Sequence, residues 1–222
     1  MEKFLGVLFC GGRGTRLGEI TKYISKSFVP IYNKPVFKYG LELLKSSNFI
    51  DEIVILTNSE NNNLLSTLNY KTIIQDDNVV FDMFSGWEFI KNELNITKNG
   101  VLVPSDNISN ISIDKLIDAF LRENVDIVFS LIRINNKLKL SSMGCYDLEN
   151  RRFYYKHPNP PSDFGVIAPY IVKNEINLSD GDKAFNFYNV YPVEHAGYWF
   201  DIGDYDSILD ASLFIKNNQN KQ

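Results

Sequence analysis

Phe4-Leu5-Gly6-Val7-Leu8-Phe9-Cys10 runs without a break into Gly11-Gly12-Arg13-Gly14-Thr15-Arg16. A short apolar run of this kind predicts the buried first strand of a layered α/β domain. The glycine-dense turn at its carboxyl end lets backbone N–H groups face a ligand without Cβ obstruction. Arginines beside those N–H groups add charge-assisted, fork-shaped donors suited to phosphate oxygens. The pattern reads as a phosphate site, against the alternative of a tight turn with two solvated arginines. It is not a P-loop, because Gly14 is followed by Thr15-Arg16 instead of Lys-Ser/Thr. It also misses the dinucleotide fingerprint, whose third glycine is replaced by Leu17.

Outward from this loop, apolar strand-like runs alternate with helical stretches. Strands are predicted at Leu5–Cys10, Glu52–Thr57, Lys71–Gln75 and Gly100–Pro104, with helices at Pro35–Ser46, Asn58–Leu68, Asp82–Lys91 and Ile113–Arg122. Such repetition predicts an α/β fold with a doubly wound, mostly parallel sheet and helices on both faces. Beyond a strand at Val125–Ile134, denser strand-like segments follow at Met143–Asp147, Arg152–Lys156 and Phe164–Tyr170. Strand character resumes at Phe187–Tyr191 and Gly197–Phe200. A last helix is expected at Tyr205–Lys216, fraying into Asn217–Gln222. The chain reads as a single domain over 1–222, with a β-rich subregion at about 142–196 walling the cleft.

With 222 residues and 44% hydrophobic content, the chain has enough apolar material for one large core. Its 16 Phe and 12 Tyr supply packing and say nothing by themselves about nucleobases. The net charge of -4 comes from interspersed charges, so no basic tract points to nucleic acid. Cys10 and Cys145 lie far apart without a Cys-x-x-Cys motif, and His157 and His195 lack matching ligands, which argues against disulfide and transition-metal frameworks. Cys10 reads as a buried strand residue and not a nucleophile. There is neither a signal-peptide pattern nor an apolar run of about eighteen residues, so a cytoplasmic protein without membrane insertion is expected.

Two aspartates follow apolar strands, Asp106 after Val101–Pro104 and Asp201 after Tyr198-Trp199-Phe200. Each alone could be a turn or cap residue. If both strands end at one cleft, the pair could hold Mg²⁺, a hard ion that prefers carboxylate and phosphate oxygens.

The stretches Gly11-Gly12-Arg13-Gly14-Thr15-Arg16-Leu17, Ser25-Lys26 and Pro30-Ile31-Tyr32-Asn33-Lys34-Pro35 resemble the signature of sugar-1-phosphate nucleotidylyltransferases, most of all the glucose-1-phosphate thymidylyltransferases. Pro104-Ser105-Asp106-Asn107, Tyr155-Lys156-His157-Pro158 and Gly197-Tyr198-Trp199-Phe200-Asp201-Ile202-Gly203 extend the resemblance over nearly the whole chain. The resemblance implies a Mg²⁺-dependent enzyme that joins a nucleoside monophosphate from a pyrimidine triphosphate to a sugar 1-phosphate and releases pyrophosphate. The NDP-sugar product would serve polysaccharide synthesis. By that similarity Arg16 holds the departing phosphates and Lys26 contacts phosphates at the reacting centre. Cys10, Gly11, Gly12, Gly14, Thr15 and Ser105 lie at the nucleotide, and Gln75 recognises the base. Asp106 and Asp201 match metal-binding aspartates, Lys156 matches the lysine that holds the acceptor phosphate, and Tyr155 stands beside it.

Several positions depart from the family pattern. Asp76-Asp77-Asn78-Val79-Val80-Phe81-Asp82 replaces a longer glycine-containing loop, which leaves the choice among uracil, cytosine and thymine open. Ser105 replaces a glycine, and Tyr155 replaces an acidic residue that accepts hydrogen bonds from sugar hydroxyls. The stretch from Tyr170 to Gly197 is short and lacks the usual acidic motif. A cytidylyltransferase for a small non-sugar phosphate, such as a phosphorylated amino alcohol, is therefore an alternative. A catalytically silent nucleotide-binding protein is another, and a dinucleotide oxidoreductase a weaker one. The chain is expected to lack the acetyltransferase and allosteric extensions of larger relatives, with oligomeric state left open.

Overall fold

A computed structural model describes residues 2–219. The opening run forms β1 (Phe4–Phe9), buried except at its last residue. Three 3₁₀ turns (Thr15–Leu17, Ile20–Lys22, Lys26–Phe28) and a small hairpin of β2 (Pro30–Ile31) and β3 (Lys34–Pro35) lead into helix α1 (Phe37–Lys45). Next come β4 (Ile50–Thr57), α2 (Ser59–Leu65), β5 (Lys71–Ile74), α3 (Met83–Leu94) and β6 (Gly100–Pro104). Strands β6, β1, β4 and β5 are neighbours in that order, all parallel. Their crossovers pass through helices on both faces, as the alternating pattern requires.

The chain continues through β7 (Asn107–Ser109), α4 (Ile113–Glu123), β8 (Ile127–Arg133), α5 (Lys137–Leu140), β9 (Gly144–Asp147), β10 (Arg152–Tyr155) and β11 (Phe164–Val172). It ends with a 3₁₀ segment Gly181–Asn186, β12 (Val190–Glu194), β13 (Trp199–Asp201) and α6 (Tyr205–Gln219). Strand β11 is buried along all nine residues because it is the antiparallel hub joining β6 to β8 and β9. Strands β9 and β10 therefore extend the same nine-stranded sheet. Strands β7 and β13 pair apart from it.

Apolar side chains form a core on each side of the sheet. One contains Trp87, Phe84, Phe129 and Phe185; the other contains Phe4, Leu44, Ile117 and Phe120. A third cluster joins Leu17, Val29, Ile31, Ile108, Ile202, Ala211 and Ile215. It fastens the glycine turn, β7 and the segment after β13 onto α6. Leu17 is fully buried there, a contact stabilising by about 1.5–3 kcal/mol. The residue that breaks the dinucleotide fingerprint is thus the anchor of the loop.

Some predicted boundaries move. Phe187–Tyr191 does not begin a strand: Phe187 is 76% exposed, and the Phe187 and Tyr188 amides bond back to the Ala184 carbonyl, so the strand starts at Val190. The Gly197–Phe200 strand is displaced to Trp199–Asp201 because the Tyr198 amide donates to the Asn110 side chain instead of a ladder partner. Helix α2 is shorter than expected, while α3 runs on to Leu94 and ends on left-handed Asn95. Helix α6 continues through Asn217 and Asn218 to Gln219; the remainder of the expected frayed tail lies outside the described residues. No described helix is long and apolar enough to cross a membrane.

Candidate active site

The carboxyl ends of β1, β5 and β6 open into a cleft of about 540 Å³. Gly11, Gly12 and Arg13 line it from the first turn, Gln75 and Asp77 from the segment after β5, and Ser105 and Asp106 from the segment after β6. Val80, Phe81 and Met83, just before and at the start of α3, supply an apolar wall. Ligands of open parallel sheets collect at this end.

Beside the cleft, four charged side chains meet, of which Lys26 and Asp106 line it. Lys26, only 8% exposed, forms an ion pair through Nζ with Asp106 Oδ2. Arg16 Nη2 lies 3.4 Å from Asp201 Oδ2. Asn107 ties the two carboxylates together, donating from Nδ2 to Asp106 Oδ1 at 3.0 Å and Asp201 Oδ1 at 3.4 Å. Trp199 Nε1 donates to Asn107 Oδ1 at 2.8 Å and so sets the orientation of that amide. Antiparallel pairing of β13 with β7, which places Asp201 opposite Asn107, creates this arrangement.

Two glycines make room for the cations. Gly14 adopts φ +63°, and a Cβ there would lie 2.6 Å from Lys26 Cβ. A Cβ on Gly203 would lie 2.8 Å from Cζ and both terminal nitrogens of Arg16, so the guanidinium rests on that glycine. Burial pushes the Asp201 carboxyl up, and the neighbouring Asp106 charge pushes it further; Lys26 and Arg16 partly offset both. Two like charges held together with restricted solvation suit a hard cation. Asp106 and Asp201 thus fit Mg²⁺ by donor type, although no cluster of three or more His, Cys, Asp or Glu forms among the described residues.

The other predicted residues are placed differently from one another. Gln75 and Ser105 line the cleft, and Ser105 Oγ lies 2.9 Å from Ser27 Oγ. Cys10 presents nothing to the cleft: its thiol is fully buried and pushed up to about 12 by burial, its amide bonds to the Leu56 carbonyl, and its carbonyl accepts from Ser27 and Asn61. Thr15 is exposed at the start of its 3₁₀ turn. Lys156 holds an unusual φ of +46° and places Nζ 4.9 Å from the centre of the Tyr155 ring. His157 and His195 face the carbonyls of Asn159 and Tyr198.

The segment between Tyr170 and Gly197, expected to be short and without the usual acidic motif, holds a largely buried carboxyl, Asp182. Burial, followed by the Asp82 charge, raises its carboxyl to about 6, against the opposing charge of Lys156. Asp82 caps α3 and lines the cleft, and a Cβ on Gly181 would sit 2.5 Å from its Oδ2. Neither Asp182 nor the Asn107–Trp199 pair stands out in the sequence, because a single Asp in a turn has no local pattern and the pair depends on strands some ninety residues apart.

Parallel strands ending at a glycine turn, with paired carboxylates and paired cations beside it, form an arrangement suited to a phosphorylated ligand. The chain matches the family model described as nucleotidyl transferase over residues 5–132, more than half its length, and belongs to that family. It is 27% identical to a glucose-1-phosphate thymidylyltransferase of Neisseria meningitidis over 98% of this chain and 84% of that protein. It is 26% identical to the bifunctional protein GlmU of Methanococcus maripaludis over 95% of this chain, but spans only 54% of that protein. Among solved structures, a Bacillus anthracis chain assigned as a glucose-1-phosphate thymidylyltransferase superposes with TM-score 0.81 at 19% identity, covering 95% of this chain and 94% of its own. A UTP-bound UGPase from Acinetobacter baumannii gives 0.77 at 16% identity, covering 97% and 93%. The fold is that of the nucleotidyltransferases, and the chain is an enzyme of this class.

Proposed function

We propose that the protein transfers a nucleoside monophosphate from a pyrimidine triphosphate to a sugar 1-phosphate, forming an NDP-sugar and pyrophosphate. The observation that carries this reading is the Asp106–Asn107–Asp201 bridge with Lys26 on one carboxylate and Arg16 on the other. An acceptor phosphate oxygen attacks the α-phosphorus, and the bond from that phosphorus to the β-phosphate bridge oxygen breaks. The phosphate is already ionised near neutral pH, so the site needs no strong general base. What it needs is charge neutralisation and alignment of two polyanions. Arg16, resting on Gly203, is assigned to the departing phosphates, and buried Lys26 to neutralising the reacting one. Asp106 and Asp201 would hold Mg²⁺, which when bound neutralises phosphate charge. Gln75 is assigned to the base. Lys156 and Tyr155, within the subregion 142–196, are assigned to the acceptor.

A second acceptor class is favoured by one observation. Asp82 and Asp182 carry two carboxyls within electrostatic reach of each other and of Lys156, a setting suited to an acceptor that carries an ammonium group as well as its phosphate. One experiment separates these readings: pyrophosphate release with Mg²⁺ from each pyrimidine triphosphate, paired with sugar 1-phosphates and with phosphorylated amino alcohols. Turnover with a sugar 1-phosphate, lost in Asp201→Asn, is the expected result. Turnover with amino alcohol phosphates alone would replace the acceptor. Triphosphate binding without turnover on any pair would overturn the catalytic reading.

A further inference from the structure

At the mouth of the cleft, the segment after β5 is tied to the glycine turn by one carboxylate. Asp77 Oδ2 accepts from Arg13 Nη2 at 2.9 Å, and Asp77 Oδ1 accepts from Gln75 Nε2 at 2.7 Å. All three residues line the cleft. The Gln75 hydrogen bond, then Arg13, holds the Asp77 carboxyl below its ordinary range, so it is ionised at neutral pH. The ion pair is largely exposed, its partners 76% and 52% accessible, and contributes little to stability. Its consequence is positional.

With Nε2 bound to Asp77, the other end of the Gln75 amide lies over the first turn. A Cβ on Gly11 would stand 1.9 Å from Gln75 Oε1, so only glycine lets the amide rest there. Oε1 accepts no hydrogen bond, and the Gly11 N–H donates none, among the described residues. Nε2 carries a second hydrogen beyond the one given to Asp77. From the turn outward the wall therefore offers a donor (Gly11 N–H), an acceptor (Gln75 Oε1) and a donor (Gln75 Nε2–H). The complement is an edge reading acceptor, donor, acceptor. Uracil and thymine present that order in O2, N3–H and O4. Cytosine presents acceptor, acceptor, donor, which sets its N3 against Oε1 and its amino group against Nε2–H. Turning the Gln75 amide over to suit cytosine would put Oε1 against the Asp77 carboxylate, acceptor against charged acceptor.

We propose that Asp77 is a positioning residue that selects uracil or thymine over cytosine, by fixing which end of the Gln75 amide lies on Gly11. Arg13 holds the carboxylate that does this. The inference rests on the cleft being a pyrimidine nucleotide site and concerns which pyrimidine enters it.

Asp77→Asn supplies the test. Arg13 draws the carbonyl oxygen of the substituted side chain, leaving its amide nitrogen facing Gln75, which then turns over to accept from it. The wall becomes donor, donor, acceptor, the complement of cytosine. Equilibrium titration of UTP, dTTP and CTP into the full chain, without acceptor, reads the effect directly. The wild type should bind UTP or dTTP roughly tenfold to a hundredfold more tightly than CTP, the discrimination expected of a paired base edge. Asp77→Asn should lower that ratio at least tenfold, and in a Gln75→Ala background it should change nothing further. Equal or tighter CTP binding by the wild type would overturn the inference while leaving the pyrimidine site standing. So would an unchanged ratio in a folded Asp77→Asn protein. If no pyrimidine triphosphate binds, the underlying reading fails and the inference falls with it.

Discussion

Gly203→Ala separates the placing of Arg16 from the folding of the chain. Gly203 has no positive φ, so alanine can adopt its backbone conformation. The added methyl meets the Arg16 guanidinium at 2.8 Å. Ordinary contact needs about 3.5–4.0 Å, so the guanidinium must retreat by about 0.7–1.2 Å. It is the far end of a flexible, largely exposed side chain, and its departure costs the fold little. Stability should change by less than about 1 kcal/mol, a Tm shift within about 4 °C. Turnover should fall roughly a hundredfold, as expected when a charge-stabilising group is misplaced by about 1 Å. Initial rates of pyrophosphate release, with a melting curve on the same sample, measure both. Arg16→Ala should show the same loss, and Gly203→Ala added to it should change nothing more. Wild-type turnover in Gly203→Ala, or a further loss in the double variant, would refute the reasoning.

Two further substitutions address the proposed acceptor side. Asp182, raised to about 6 by burial and then by Asp82, keeps its proton in the folded state at pH values where the unfolded chain has lost it. Stability therefore falls as pH rises from about 4 to about 6, and Asp182→Asn should be the more stable protein at pH 7 by up to about 3 kcal/mol, with the gap closing near pH 4. Urea unfolding at both pH values reads this, and parallel pH profiles would remove Asp182 as the buried acid. Lys156→Ala should raise the acceptor KM by roughly tenfold or more through loss of a charged contact, leaving the nucleotide KM within twofold. Initial rates over both substrates decide it, and a rise confined to the nucleotide KM would move Lys156 to the other side of the cleft.

The parts of the fold that depend on local rules were legible in the sequence. The buried run Phe4–Phe9, strand Gly100–Pro104 and helix Ile113–Glu123 follow from unbroken apolar stretches or a clean helical period. Phe187–Tyr191 misled because its aromatic composition suits a strand, while its backbone completes the turn begun at Ala184. The features that finish the site depend on closure over long separations. Asn107 bridges the carboxylates only because β13 returns to β7, and Arg13 reaches Asp77 across 64 positions. No local pattern carries such pairings.

The glycines join these two levels. By sequence Gly11 and Gly14 mark a backbone open to phosphate. In the structure Gly11 lies under Gln75, Gly14 against Lys26 and Gly203 under Arg16, so each is also the seat of a side chain assigned to the reaction. A glycine variant that loses activity is therefore no measure of phosphate contact until its effect has been compared with deletion of the side chain it carries. For Gly11 the comparison is Gln75→Ala. If Gly11→Ala alters base preference as Gln75→Ala does and leaves pyrophosphate affinity unchanged, this glycine serves recognition of the base. Loss of pyrophosphate affinity in Gly11→Ala alone would return it to the phosphates.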